Sequence, residues 1–419
     1  MISRSIPRKY NVSSLEMTLF IISMVFTPQY LPIDIRPVVY IFWGMVGLYR
    51  GGMLTNLTRY IKTTMIILLV LTIYGAIIVL FNGSDQIYVF MRYTRALVAL
   101  LVIWIYISSI KLDIDKITNS ILIVLLIHSL IIIAEIIEPS VKDLMVPFAG
   151  VSRMFYPYRA NGFVNSYDYA GLYTVLGFLL ASYKYILNRN KLYLLITIVC
   201  VTATLFTSRL NIFLMSIVMI IVLIKSIKEK ARLLSIPLLV IFFLVSTTAV
   251  FLWAITTDAI PGARDFIFNR FYWADQVYST IRYTYPDNDI QEVIAYQFDL
   301  MMNLSLIFGS GIDGNVDPGY TQSIYSVGLI GTLIIVFYYI YQLFYIKYLQ
   351  KASKIFDGRN LIFTLSFFLL IFNIVWNLKI WFFFSTSIFE LTSILIIIYE
   401  LSNKKITVEK NNYESKYNF

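Results

Sequence analysis

Residues 204–216 read TLFTSRLNIFLMS, a membrane-like run interrupted by one charge, Arg209. A charge at bilayer depth costs roughly 2.5–3.5 kcal/mol on insertion scales. The cost falls if the arginine sits at the mouth of a hairpin, between one apolar segment over 192–207 and another over 209–224. The stretch therefore reads as the tight turn between two membrane helices. It raises two questions: which membrane surface the turn faces, and what the arginine meets there.

Composition points to a membrane fold throughout. Of 419 residues, 59% are hydrophobic and only 14% charged, where soluble domains carry about 25%. The single cysteine, Cys200, and the single histidine, His128, both lie in apolar runs. Those counts exclude an internal disulfide and a zinc site built from Cys and His. The net charge of +10 fits basic cytoplasmic loops of a polytopic chain better than nucleic-acid binding. The first apolar run follows Arg4, Arg8 and Lys9 and is succeeded by many others, so it reads as a retained anchor.

A spanning helix takes about 20 mostly apolar residues. Spans are expected near 15–31, 35–49, 63–81, 88–110, 117–138, 166–187, 192–207, 209–224, 233–256, 319–346, 361–378 and 380–401. No soluble domain and no repeat of fixed period is visible. The expectation is an all-α polytopic transmembrane bundle of about twelve spans, one membrane domain over 1–419. Lysine and arginine then set the orientation. With the N-terminus inside, 23 of the 34 basic residues fall in cytoplasmic segments, and both termini are cytoplasmic. The other 11 fall outside, Arg209 among them, and nine of these are arginine.

Positive-inside sorting explains the inner lysines but not arginines held outside. Arginine presents a rigid fork of donors that matches phosphate oxygens two at a time. The outer arginines are thus a candidate clamp for a phosphate or diphosphate; pairing of each with a lipid headgroup or a nearby aspartate is the bland alternative. Arg92 and Arg95, in MRYTR, share one helix face by their spacing of three.

Two outer segments stand out. Residues 139–165 include VSRMFYPYRANGFVNSYDYAG in their second half and the next helix start, with Arg153 and Arg159 before a glycine. Residues 257–318 form the largest loop, rich in aromatics and carboxylates. Rings stack on pyranose faces and carboxylates bind hydroxyls, so this is a surface suited to sugars; interfacial anchoring gives the same composition. Within it, 288–307 reads as a helix along the membrane or over a cavity. GSGIDGNVDPGY (309–320) has no Gly-Lys-Ser/Thr and no preceding strand, so it is a turn-rich lead into a span and not a nucleotide loop.

Three pieces in order carry a resemblance: Arg159-Ala160-Asn161-Gly162-Phe163 leading into a span, Thr207-Ser208-Arg209 opening a helix after a tight hairpin, and Gly309-Ser310-Gly311 with Asp317 to Tyr320 and then Gly328-Leu329-Ile330-Gly331. With the span pattern and one large late outer loop, the chain resembles the O-antigen polymerase and O-antigen ligase superfamily over about residues 90 to 345. The resemblance implies a bacterial cytoplasmic-membrane glycosyltransferase without metal or other cofactor. Its donor would be an undecaprenyl-diphosphate-linked oligosaccharide, its site the outer leaflet, and a chain-length-regulating membrane protein a possible partner. It places Arg159 and Arg209 at the diphosphate; Arg153 is a weaker addition, and the pair Arg92 and Arg95 is further support. It also implies growth at the reducing end, with the growing chain as donor. Ligases of the superfamily carry a histidine in the late loop, where this chain has Asp317-Pro318-Gly319-Tyr320. The departure favours polymerase over ligase and leaves the base open among Asp317, Asp313 and Tyr320; an Asp-Pro turn that caps the next helix is the alternative for Asp317.

Competing readings remain. One is the ligase, which moves finished glycan to lipid A core or protein. Another is a flippase for lipid-linked oligosaccharide, but transporters bind near the midplane between repeated halves, and here the charges gather at the outer rim. A membrane acyltransferase relies on a histidine, and His128 is mid-span.

Overall fold

The computed structural model describes residues 9–28, 34–52, 57–82, 87–150, 159–228, 306–311, 319–352, 358–378, 383–385 and 387–417. Twelve α-helices are described: α1 Ser14–Val25, α2 Arg36–Tyr49, α3 Arg59–Asn82, α4 Tyr88–Ser109, α5 Ile114–Ile137, α6 Ser140–Ala149, α7 Tyr167–Asn188, α8 Lys191–Leu205, α9 Arg209–Lys228, α10 Gly319–Ala352, α11 Gly358–Val375 and α12 Ile388–Tyr417. Among the described residues there is no strand, only an isolated bridge between Tyr10 and Ile110. Six helices, α3, α4, α5, α7, α10 and α11 with its 3-10 extension to Leu378, are long and apolar enough to cross a membrane. That length and composition match a multi-pass membrane bundle. The expected span 233–256 and helix 288–307 lie outside the described residues, save the turn at 306–308.

Three expectations differ in detail. The segment 139–165, read as a loop, contains α6, whose Pro147 lies inside the helix. α3 starts at Arg59, a full turn before the apolar run, because a carboxylate caps it. The last helix starts at Ile388, eight residues later than expected. Ahead of it, Phe384 (φ 52°) and Ser387 (φ 72°) take left-handed backbone. That conformation is a genuine outlier for a bulky residue. Buried aromatic packing holds it: the Phe384 ring stacks on Tyr338 and meets Tyr93 edge-on, and its N–H donates to the Tyr339 hydroxyl.

The chain divides into two compact units. The first comprises 1–27, 33–121 and 296–419. Two carboxylates hold its helices together. Glu16 on α1 receives the forked guanidinium of Arg50 and the Tyr106 hydroxyl, tying α1 to the end of α2 and to α4. Glu400 on α12 accepts the first two N–H groups of α3, from Arg59 at 2.8 Å and Tyr60 at 3.3 Å, and the Tyr345 hydroxyl at 2.5 Å. The initial N–H groups of a helix have no partner within it. Glu400 supplies that partner and adds a negative charge where the α3 dipole is positive.

α10 is broken at Gly328 (φ 67°, ψ −178°). A broken helix in hydrocarbon must satisfy its freed backbone groups with other protein atoms. The segment 306–311 does so. Ser310 and Gly311 N–H donate to the carbonyls of Tyr325 and Ser326 at 2.8 and 2.9 Å, and Leu329 and Ile330 N–H donate back to those of Leu306 and Ile307. The backbones come so close that a Cβ on Gly328 would stand 2.3 Å from the Ile307 oxygen, and one on Gly309 2.4 Å from the Gly328 nitrogen. The two glycine motifs singled out in sequence are the two sides of this lock.

The second unit comprises 28–32 and 122–295. Its described core is α7, buried along most of its length, packed on α8 and α9. Small residues allow close approach. Gly177 leaves room for the Cys200 sulfur, and Gly171 for Thr207 and Asn211.

Gly328→Ala should cost at least about 1–3 kcal/mol through strain alone, and more through the clash. Gly44→Ala, where a Cβ meets only Val102 at 3.8 Å, should be neutral or slightly stabilising. Thermal unfolding of the two variants in detergent checks the contrast.

Candidate functional site

The candidate site lies in the second unit, where the starts of α7 and α9 meet. Ser166 caps α7, its hydroxyl accepting from Asp168 N–H at 3.2 Å. Ser208 caps α9, accepting from Asn211 N–H at 3.4 Å. The Asn211 amide, fully buried, donates to Ser208 Oγ at 2.8 Å and to the Asp168 carbonyl at 2.9 Å, which pins the two helix starts together. Both helices thus turn their positive dipole ends to one place.

The loop of Arg159 is laid against this junction. Ala160 N–H donates to the Phe206 carbonyl, in the turn between α8 and α9, at 2.9 Å. By chain reach through that bond, the Cα atoms of Arg159 and Arg209 are at most about 15 Å apart. The Arg159 guanidinium carbon lies 5.3 Å from the centre of the Tyr167 ring, a cation–π arrangement at the first residue of α7. Arg209 is the first residue of α9, and its side chain lies outside the described residues. A cation at a helix N-terminus opposes the dipole by about 0.3–1 kcal/mol. Helix stability therefore gives no reason for an arginine at that position.

The loop's inner side belongs to α5. Gly162 has φ 55°, and a Cβ there would stand 2.7 Å from the His128 ring. Glu135, 2% exposed, accepts N–H from Asn161 at 3.0 Å and from Gly162 at 2.8 Å. His128, fully buried, accepts from Phe163 N–H through Nδ1, and its Nε2 lies 3.3 Å from the Ala170 carbonyl. A carbonyl only accepts, so Nε2 carries the proton and the imidazole is neutral. Lys142 on α6 is close enough to feel the Glu135 charge; burial pushes its ammonium below the ordinary lysine range, and Glu135 partly offsets this.

The first unit has a second charged cluster. Arg36 forks onto Asp34, with Nη2 to Oδ2 at 2.6 Å, and holds the Asp34 carboxyl below its ordinary range. Arg95 on α4 and Arg36 both act electrostatically on Glu390, which is 1% exposed on α12 and receives the Tyr40 hydroxyl at 3.4 Å. Arg95, expected at the diphosphate, therefore has its described electrostatic partners within the first unit.

Of the other expected site residues, Arg153, Asp313 and Asp317 lie outside the described residues. Tyr320 is committed elsewhere, its hydroxyl donating to the Ile374 carbonyl at 2.8 Å. Glu135, Glu390 and Tyr167 were not singled out in the sequence. The signal for the two carboxylates was there: an ionisable residue inside an apolar segment is rare and has a partner. Comparison with protein-family profiles, with curated proteins and with solved structures finds no match.

Gly162→Ala should be destabilising by about 1–3 kcal/mol, since it combines left-handed backbone with a clash on a buried ring. A lowered thermal midpoint of the purified variant is the expected readout.

Proposed function

We propose that this chain is a metal-independent glycosyltransferase. It joins undecaprenyl-diphosphate-linked oligosaccharide repeat units into a polysaccharide on the outer face of the bacterial cytoplasmic membrane, through a bundle of about twelve spans. The observation that carries the reading is the second unit's junction. Two helix starts, the loop of Arg159 and the first residue of α9, Arg209, meet where the sequence expects an outer rim. Two positive dipole ends, with the loop of Arg159 laid beside them and an arginine as the first residue of α9, suit a diphosphate.

In this reaction an acceptor sugar hydroxyl attacks the anomeric carbon of the donor glycan. A new C–O bond forms, the anomeric C–O bond to phosphate breaks, and the electron pair leaves with the lipid diphosphate. The hydroxyl proton passes to a base. Charge grows on the leaving diphosphate in a low-dielectric setting, where fixed donors stabilise it most. Arg159 and Arg209 take that role, and Arg153 is proposed as a further contact. Asp317 and Asp313 are the proposed bases, and the internal bonding of the only histidine supports polymerase over ligase chemistry.

Arg209→Lys keeps the charge and loses the two-point fork. One charge-assisted contact is worth about 1.5–3 kcal/mol, so polymerisation should slow roughly ten- to hundred-fold at a normal protein level. In cells the glycan should stop at one or a few repeats. Wild-type chain lengths, or loss of the protein itself, contradict the assignment. Asp317→Asn and Asp313→Asn test the base: normal polymerisation by both removes it from these residues.

A further inference from the structure

The four backbone N–H groups that follow Arg159 are all used. Ala160 donates to the α8–α9 turn. Asn161 and Gly162 donate to the two oxygens of Glu135, and Phe163 donates to His128. Glu135 and His128 are seven residues apart on α5, close to two full turns, so both side chains leave the helix from the same face. Successive N–H groups around a left-handed residue form a concavity for anions. Here that concavity holds a carboxylate of the chain itself, so the loop's amides are not offered to an external anion. The Arg159 guanidinium in turn rests over Tyr167.

The geometry points to Glu135, assisted by His128, as a positioning residue that fixes the loop so that Arg159 meets its ligand pre-aligned. This rests on Arg159 binding the diphosphate. Glu135 touches no substrate. It acts by taking two buried donors that meet no other acceptor among the described residues, so the loop cannot shift without stranding them. A ligand held by one pre-aligned fork does not have to order that fork on binding.

The test is a double-mutant cycle on the full-length protein in detergent micelles, with undecaprenyl diphosphate as the binding probe. Glu135→Gln removes the charge and one of the two acceptors. It should weaken binding roughly tenfold, the scale of one lost charge-assisted hydrogen bond. It should also speed amide hydrogen exchange over 160–163. In the Arg159→Ala background, the same substitution should change binding less than about twofold, because residues acting through one another are not additive. Equal losses in both backgrounds overturn the positioning role, since Glu135 then acts independently of Arg159. So does wild-type binding by Glu135→Gln while Arg159→Ala is impaired. If Arg159→Ala itself binds as tightly as wild type, the diphosphate reading fails and takes the positioning role with it. Should Glu135→Gln not fold, His128→Gln carries the same cycle with the same expected and contrary outcomes.

Discussion

Backbone groups that leave a helix inside a membrane protein must find protein partners, because hydrocarbon offers none. Both units are organised around this constraint. Glu400 on one helix finishes the start of another. The segment 306–311 closes the break in α10 with a reciprocal set of main-chain bonds. Glu135 and His128 take three consecutive amides of the loop that enters α7, and Asn211 joins the starts of α7 and α9. In each case a long-range side chain or extended segment does what water does for a soluble protein.

The same constraint accounts for the buried polar groups beneath the site. Glu135, His128 and Asn211 are buried and bond to backbone or neighbouring side-chain groups of the chain. The Arg159 guanidinium rests on the Tyr167 ring, beside the place where two helix dipoles present positive ends. Arg209 opens α9, a position that costs helix stability. Such placement is understandable if an anion comes to the junction, and the proposed leaving group is one.

Hydropathy made the helices legible. The starts and ends of α4, α5 and α7 fall within a few residues of the expected spans because apolar length is set by the bilayer and by nothing else nearby. The hairpin at Thr207-Ser208 was legible too, since a lone arginine in an apolar run demands a turn. What sequence could not supply was pairing. Glu400 meets a backbone 341 residues away, and Glu135 one 26 residues away; backbone N–H groups carry no residue signature. Gly309 belongs to a turn-rich lead and Gly328 to a motif inside the following span, but their mutual contact is visible only in three dimensions. The helix α6 inside an expected loop was hidden by its proline and its short length. At the site, motif order groups the Arg159 loop with the start of α9, while nothing in the order of residues ties Glu135 on α5 to that loop.

The central claim is that bond formation between repeats releases the lipid diphosphate. The direct measurement reconstitutes the purified full-length protein with lipid-linked repeat units in a chelator-containing buffer, and counts products by mass spectrometry. The account predicts a ladder of glycans differing by one repeat, with one undecaprenyl diphosphate released per repeat joined. Movement of the intact lipid-linked unit across the bilayer with no new glycosidic bond, or transfer only to a lipid A core or protein acceptor, contradicts it.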